Sequence, residues 1–242
     1  MTDARSSAWA PAPLAVRWGL PDALIAWVVG IAAAVFAAVP FLGAGGKIPE
    51  AQEVTATLVL LVVQNVAIVS CLVVVSRYKG LGSLCRDFGF AFERGDLVWV
   101  LAGVGLAVVA GLMVLPITEL AGLKDSSQDV VQTFERSAGV AEKIGVGLGV
   151  VLVAPITEEL LFRGVLLRGL MRRTTPMVAV TVAAVIFALV HVLGDLGTGY
   201  YVPAFLLLGL VSGWRAVVTG RIGESICLHA GFNLLAAIQI VT

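Results

Sequence analysis

Three charged side chains lie close together in one of the most apolar stretches of the chain. Glu158, Glu159 and Arg163 all fall within "APITEELLFRG", residues 154–164. A charged group at the centre of a bilayer costs roughly 2.5–3.5 kcal/mol, so a membrane helix that carries three of them must pair them or use them. Glu159 and Arg163 are four residues apart with the acid first, the favourable order for an ion pair on one helix face. Glu158 lies about 100° further around the helix and is left to face another neighbour.

The chain contains only two histidines, and each lies in a separate apolar stretch. His191 occurs in "FALVH", four residues after Phe187, and His229 occurs in "HAGFN", four residues before Asn233. The four-residue spacing places the side chains of His229 and Asn233 on one helix face. A carboxylate with an imidazole can activate water, and imidazole and amide N–H groups can stabilise an oxyanion. The structural alternative is a buried network of polar side chains that only holds helices together.

The composition identifies the kind of protein that must position these residues. Hydrophobic residues make up 59% of the 242 residues and charged residues 13%, and the mean hydropathy is +1.00. These values predict an integral membrane protein in contact with the lipid bilayer. The formal net charge is zero, which argues against a nucleic-acid partner. The three cysteines show no CxxC spacing, so cysteine chemistry is not expected.

Seven apolar runs have about the 20 residues that a helix needs to cross the hydrocarbon core of a bilayer, or nearly that number. No run shows the alternation of a strand, and backbone groups in lipid must be satisfied internally. The fold class predicted is therefore all-α, a polytopic transmembrane helix bundle of about seven spans. The runs lie at about 22–42, 55–76, 97–121, 143–168, 177–193, 201–219 and 223–241.

Proline and glycine predict local features of these spans. Pro155 lacks the amide that would bond the Val151 carbonyl, so a kink or an exposed carbonyl is expected there. Two glycine pairs with small-xxx-small spacing, 145/149 and 209/213, predict close helix packing. Eleven Lys and Arg residues would face the cytoplasm if the N-terminus does, against four on the opposite side, which predicts a cytoplasmic N-terminus.

Three motifs occur in order along the chain: Glu158-Glu159-x-x-x-Arg163, Phe187-x-x-x-His191 and His229-x-x-x-Asn233. Together they resemble the CPBP family (CAAX prenyl protease and bacteriocin-processing), also called Abi proteins, which are intramembrane glutamic endopeptidases. Gly164 after the arginine also fits the family. The resemblance covers roughly residues 143–242.

The resemblance implies a role for each motif residue. Glu158 and His191 would activate a water, His229 and Asn233 would form the oxyanion hole, and Glu159 with Arg163 would give structural support. No metal and no other cofactor is implied. The substrate would be a peptide or a membrane-associated protein, CAAX-like or otherwise, and the protein would lie in the plasma membrane of a prokaryote.

The apolar runs, the charge distribution and the resemblance together predict how the chain is organised. Residues 1–21 would be a cytoplasmic N-terminal tail, and residues 22–142 would hold the N-terminal transmembrane helices with an interfacial segment at 124–142 of open role. Residues 143–242 would be the catalytic CPBP-like core.

Three other functions fit the same residues. Glu158, His191 and His229 could instead be the ligands of a zinc-dependent membrane metalloprotease, although no HExxH pair is present. The motifs could also belong to a non-catalytic membrane scaffold or immunity protein. Intramembrane Glu and His residues further occur in the proton relays of transporters.

Overall fold

The protein is built from helices. The computed structural model describes residues 16–43, 45–122, 139–193 and 196–241, and these ranges contain no strand. Short 3₁₀ turns precede several of the helices. The helices in chain order are α1 (Leu20–Ala38), α2 (Glu53–Lys79), α3 (Leu84–Phe88), α4 (Val98–Ala121), α5 (Val140–Met171), α6 (Pro176–Val192), α7 (Val202–Thr219) and α8 (Gly223–Val241).

The predicted all-α bundle of about seven spans is confirmed. Among the described residues, five helical stretches are long and apolar enough to cross a membrane: Leu20–Phe41, Glu50–Lys79, Arg94–Ala121, Val140–Met171 and Thr198–Thr219. Two shorter apolar helices, Pro176–Val192 and Gly223–Ile238, supply the remaining two. Each coincides with one of the seven runs to within a few residues. The first 15 residues of the predicted tail and residues 123–138, most of the predicted interfacial segment, lie outside the described ranges.

The outer surface of the bundle is apolar. The most apolar window of the first span has a mean hydropathy of 2.4, yet only 11% of it is buried by the rest of the protein. Large apolar side chains point outward, among them Phe36, which is 78% exposed, and Leu120, which is 90% exposed. Such a surface requires lipid rather than water around it, and the chain is therefore an integral membrane protein.

Helix α5 contains two π-helical segments and returns to α-helical geometry after each, the last time at Arg168–Met171. It is α-helical at Val140–Leu148, π-helical at Gly149–Val153, α-helical at Ala154–Glu159, and π-helical again at Leu160–Leu167. The first π segment ends at Val153, two residues before Pro155, whose missing amide breaks the ladder. Since π-helical bonds join residues five apart, the carbonyl opposite Pro155 is that of Val150. The expectation that Val151 would carry the free carbonyl was therefore wrong, because it assumed α-helical spacing.

Glycines set the closest helix contacts. A Cβ on Gly103 of α4 would collide with the Leu228 carbonyl of α8, and a Cβ on Gly231 of α8 would collide with the Val100 carbonyl of α4. The backbones of α4 and α8 therefore touch directly. Gly209 likewise packs α7 on α6, since a Cβ there would lie 2.9 Å from the Ala184 backbone.

Two polar clusters at the ends of the spans hold the helix ends in place. The Asp87 side chain of α3 is fully buried and accepts hydrogen bonds from Trp18 Nε1 (3.1 Å), Ser76 Oγ (2.6 Å) and the amides of Leu81 (2.9 Å) and Ser83 (3.3 Å). Burial by itself raises the pKa of Asp87, but these hydrogen bonds outweigh burial and hold the pKa below its ordinary value. Asp87 thus ties the segment before α1 to α2 and α3.

Arg221 is the centre of the second cluster. It precedes α8 and pairs with Asp96, with Glu93 at 3.2 Å and with Glu224 at 3.5 Å. Glu224 also accepts a hydrogen bond from Arg215 Nε at 2.7 Å. Together these contacts hold the beginning of α8, and hence the residues that follow on it, against the beginning of α4.

Candidate active site

The three motif regions meet inside the bundle on α5, α6 and α8. On α5, Arg163 Nη1 lies 3.0 Å from Glu159 Oε1, and both side chains are at most 2% exposed. The guanidinium carbon of Arg163 lies 4.4 Å from the centre of the Phe187 ring on α6. Arg163 Nη2 also donates to the Gly209 carbonyl of α7 at 3.5 Å. The ion pair therefore joins α5 to both α6 and α7.

Glu158 faces both imidazoles. Its Oε2 atom lies 3.4 Å from His191 Nε2 and 3.7 Å from His229 Nε2. This oxygen is buried and accepts no hydrogen bond from any described residue. A buried carboxylate oxygen without a protein donor is uncommon, and it marks the place where a polar reactant would be bound.

The hydrogen bonds of the two histidines determine which nitrogen faces Glu158. His191 Nδ1 lies 2.7 Å from the Phe187 carbonyl, which can only accept, so this nitrogen carries a proton. His229 Nδ1 lies 2.9 Å from Glu159 Oε1, the carboxylate oxygen paired with Arg163, and by the same reasoning donates to it. In each neutral imidazole the lone pair is then on Nε2, the nitrogen that faces Glu158.

The contact between His229 and Glu159 was not predicted from the sequence. The spacing of Glu159 and Arg163 indicated only a pair within one helix. The structure adds His229 of α8 as a second partner of the same oxygen. Glu159 therefore orients His229, a role that no spacing along the chain could reveal because the two residues are 70 positions apart.

Asn233 is anchored to α5. Its Nδ2 donates to the Val150 carbonyl at 2.9 Å, the carbonyl left free by Pro155 and the π-helical segment. An asparagine amide has two N–H donors, so one remains for another acceptor. The anchor fixes the orientation of the side chain one helix turn from His229.

Aromatic rings enclose His191. The ring of Phe205 on α7 stacks on it with centroids 4.5 Å apart and planes at 29°, and the Phe187 ring lies 4.4 Å away. Phe187 was part of the sequence motif, whereas Phe205 was missed. Phe205 lies in an apolar helix at no distinctive spacing from the motif residues, so only the packing of α7 on α6 identifies it.

A cavity opens beside Glu158 and His191. Its volume is about 440 Å³, large enough for several residues of an extended peptide or for water. Four helices form its wall, and two of them lie in the first half of the chain. The lining residues are Trp27 of α1; Thr57, Leu60, Leu61, Gln64, Asn65 and Ile68 of α2; Ala154, Thr157, Glu158, Leu161 and Phe162 of α5; and Val190 and His191 of α6.

A second, apolar groove adjoins this cavity. It has a volume of about 380 Å³, and every residue that lines it is apolar. It shares Trp27, Leu161, Phe162 and Val190 with the first cavity. The remaining lining residues are Leu20, Ala23, Leu24, Leu166, Ile186, Leu189 and Leu193.

The zinc alternative depends on how Glu158 and the two histidines are grouped. In the part of the chain that the structure describes, no three His, Cys, Asp or Glu side chains are grouped so that they would hold a metal ion. Glu158 and the two histidines lie closest to such a group, with the two Nε2 atoms 3.4 and 3.7 Å from Glu158 Oε2.

Residues 141–235 match the family model described as "Rce1-like: Type II CAAX prenyl endopeptidase Rce1-like". This region is similar to the Rce1-like family. The resemblance inferred from the three motifs is thereby confirmed, and the family is one of membrane proteases. Comparison with curated proteins and with solved structures gave no significant match.

The Rce1-like region contains every motif residue from Glu158 to Asn233, on α5, α6 and α8. Helices α1 to α4 lie outside it. Two of these, α1 and α2, nevertheless line the cavity next to Glu158.

Proposed function

We propose that this protein is an intramembrane endopeptidase in which Glu158 and His191 activate a water molecule. The observation that carries the proposal is the buried Oε2 atom of Glu158, which faces two imidazole nitrogens at the edge of a cavity and has no donor among the described residues. The Rce1-like family of residues 141–235 supports the reaction class.

The first step is proton transfer from water. A water bound beside Glu158 Oε2 and His191 Nε2, which lie 3.4 Å apart, could donate a hydrogen bond to each, since both atoms are acceptors when His191 is neutral. Glu158 takes the proton as the water oxygen attacks the peptide carbonyl carbon, and it then returns the proton to the leaving amine. Phe187 and Phe205 hold the His191 ring in the orientation that this geometry needs.

The second requirement is stabilisation of the oxyanion. The free N–H of Asn233 and the Nε2–H of His229 would supply two donors, each contributing about 3–4 kcal/mol to the transition state. Because His229 already donates through Nδ1 to Glu159, it can donate through Nε2 only as an imidazolium. We assign Glu159 and Arg163 to orienting His229 and holding α5 in place.

The substrate is a peptide that reaches the cavity from the membrane. Members of the matched family are described as CAAX prenyl endopeptidases, which suggests a peptide with a lipid group near the cleaved bond. The apolar groove beside the cavity is suited to such a group. We further propose that residues 143–242 form the catalytic core and that α1 and α2 complete its substrate cavity.

The proposal is tested by comparing the membrane peptidome of cells that express the wild-type chain or Glu158→Ala. The wild type should generate peptides that are missing with Glu158→Ala. Glu53→Gln, which changes an exposed carboxylate at the beginning of α2, is the control and should give the wild-type pattern. Identical peptides from all three strains would contradict proteolysis and favour a non-catalytic scaffold.

A zinc-dependent reaction is the second candidate. Both histidines present Nε2 to Glu158 while Nδ1 is hydrogen-bonded, the arrangement typical of histidines that bind zinc. A zinc site would still require the three side chains to close around an ion. Loss of activity on exhaustive chelation, with recovery on adding zinc, would establish this candidate in place of the metal-free reaction.

A further inference from the structure

The cavity has a second polar wall, on α2, that lies outside the Rce1-like region. Thr57, Gln64 and Asn65 of this helix line it opposite Glu158 and His191. The span that contains them is otherwise strongly apolar, with a mean hydropathy of 2.8 in its most apolar window. Polar side chains in the middle of such a span require an explanation, because an unbonded amide in an apolar environment is costly.

The two amide side chains differ in what they contact. Asn65 is 8% exposed, and its Nδ2 donates to the Leu61 carbonyl at 2.7 Å, so it is satisfied within its own helix. Gln64 is partly exposed to the cavity. No described residue forms a hydrogen bond with its side chain. Its donors and its acceptor therefore remain available to whatever enters the cavity.

The packing of α2 on α5 gives the position of Gln64 along the site. Thr55 donates to Glu142 at 2.9 Å, and a Cβ on Gly149 would lie 2.8 Å from Leu61 Cδ2. Each contact joins residues 87 or 88 positions apart, so the two helices run in the same direction. Gln64 lies three residues after Leu61 on α2, and Glu158 lies nine residues after Gly149 on α5. At about 1.5 Å per residue, Gln64 lies about 9 Å from the level of Glu158, toward the beginning of α5.

We propose that Gln64 binds the main chain of the substrate about three residues from the bond that is cleaved. An extended peptide rises about 3.3 Å per residue, so a 9 Å offset corresponds to about three residues. A glutamine amide offers a carbonyl acceptor and N–H donors, which match the N–H and C=O groups of a peptide backbone. Such a contact holds the peptide extended along α2 without selecting its sequence. This inference rests on the proposed endopeptidase function and adds a substrate-binding residue from outside the Rce1-like region.

The first test measures cleavage kinetics with the full chain in liposomes. The probe is a quenched fluorescent peptide with a farnesylated C-terminal CAAX sequence. Gln64→Met keeps the size of the side chain but removes its hydrogen bonds, and should lower kcat/KM about tenfold, mainly through KM. Val66→Met, on the lipid-exposed face of the same helix, should stay within twofold of the wild type. Equal kcat/KM for the wild type and Gln64→Met would overturn the inference.

A backbone-ester series identifies the contact itself. In each probe one amide of the peptide is replaced by an ester, which removes one N–H and weakens one acceptor. The wild type should cleave the probe more slowly when the ester lies about three residues from the cleaved bond. Gln64→Met should cleave that ester probe as fast as it cleaves the all-amide probe. An equal loss in both proteins at every position would contradict a backbone contact with Gln64.

Failure of the proposed function would look different. If Glu158→Gln cleaves the probe as fast as the wild type, or the wild type fails to cleave it, the hydrolytic assignment fails on this substrate. Binding of the same peptide, followed by fluorescence anisotropy in the Glu158→Gln background, then still tests Gln64. A weaker affinity on adding Gln64→Met supports the contact, and an unchanged affinity, or no binding at all, contradicts it.

Discussion

At the scale of single residues, adjacent glutamates have opposite surroundings. Glu159 is fully buried, with Arg163 and His229 on one oxygen, whereas the Glu158 side chain is 26% exposed and borders the cavity. The sequence predicted this division from helix spacing alone, since only Glu159 lies four residues before Arg163. It could not predict that Glu159 also holds His229, because that contact depends on how α8 packs on α5.

The division predicts that the two glutamates affect stability differently. Glu159→Gln leaves the Arg163 guanidinium buried without a carboxylate, which should cost about 3 kcal/mol of unfolding free energy. Glu158→Gln removes a charge that no described residue hydrogen-bonds and should change the unfolding free energy by less than about 1 kcal/mol. Unfolding of both variants in detergent, followed against the wild type, measures the difference. Equal destabilisation by the two substitutions would contradict the separate roles.

At the scale of helices, α5 is the element that positions the site. Its first π-helical segment and Pro155 leave the Val150 carbonyl free, and Asn233 of α8 binds it. The sequence predicted an exposed carbonyl at this proline but placed it at Val151. The π-helical pattern has no sequence signature comparable to that of proline, so the true partner of Asn233 could be identified only from the structure.

A double-mutant cycle tests the link between Pro155 and Asn233. Asn233→Ala leaves the Val150 carbonyl without its donor and should cost about 1–3 kcal/mol of unfolding free energy. In Pro155→Ala the new amide can bond that carbonyl directly. Adding Asn233→Ala to Pro155→Ala should therefore cost clearly less than it does in the wild type. Strict additivity of the two substitutions would show that they do not share this carbonyl.

The contact of α4 with α8 gives a second prediction at this scale. Gly103→Ala places a methyl group against the Leu228 carbonyl, next to His229, and should cost about 1–3 kcal/mol of unfolding free energy. It should also lower activity, because α8 must shift. Gly105→Ala is the matched control, since a Cβ there meets no atom within 4 Å. If both substitutions behaved alike in unfolding and in cleavage assays, the glycine contact would have no part in positioning α8.

At the scale of the whole molecule, the number and limits of the spans could be predicted from apolar runs, because lipid imposes length and helicity on them. The order in which the spans pack could not, and neither could the contribution of α1 and α2 to the cavity. Buried polar side chains that hold helix ends together, such as Asp87, were not predicted from the sequence either. An aspartate in a loop-like sequence gives no sign that four donors from three separate parts of the chain converge on it.

Asp87 predicts how the stability of the protein depends on pH. Hydrogen bonds hold its pKa in the folded protein below its value in the unfolded chain. Its contribution to stability is therefore complete above the unfolded pKa and is lost as the pH falls through the folded pKa. Thermal unfolding should show a fall in stability at acid pH that is smaller in Asp87→Asn, a variant already less stable at neutral pH. The same acid slope in both proteins would contradict this role for Asp87.

The most direct test of the central claim is hydrolysis of a quenched farnesylated CAAX peptide by the purified protein in liposomes, with a metal chelator present throughout. The account predicts that the wild type cleaves the peptide under these conditions and that Glu158→Gln is slower by about 10²–10⁴-fold while remaining folded. Cleavage by Glu158→Gln at the wild-type rate would contradict the assignment of Glu158 as the group that activates water. Loss of wild-type activity in the chelator, restored by zinc, would contradict the metal-free mechanism.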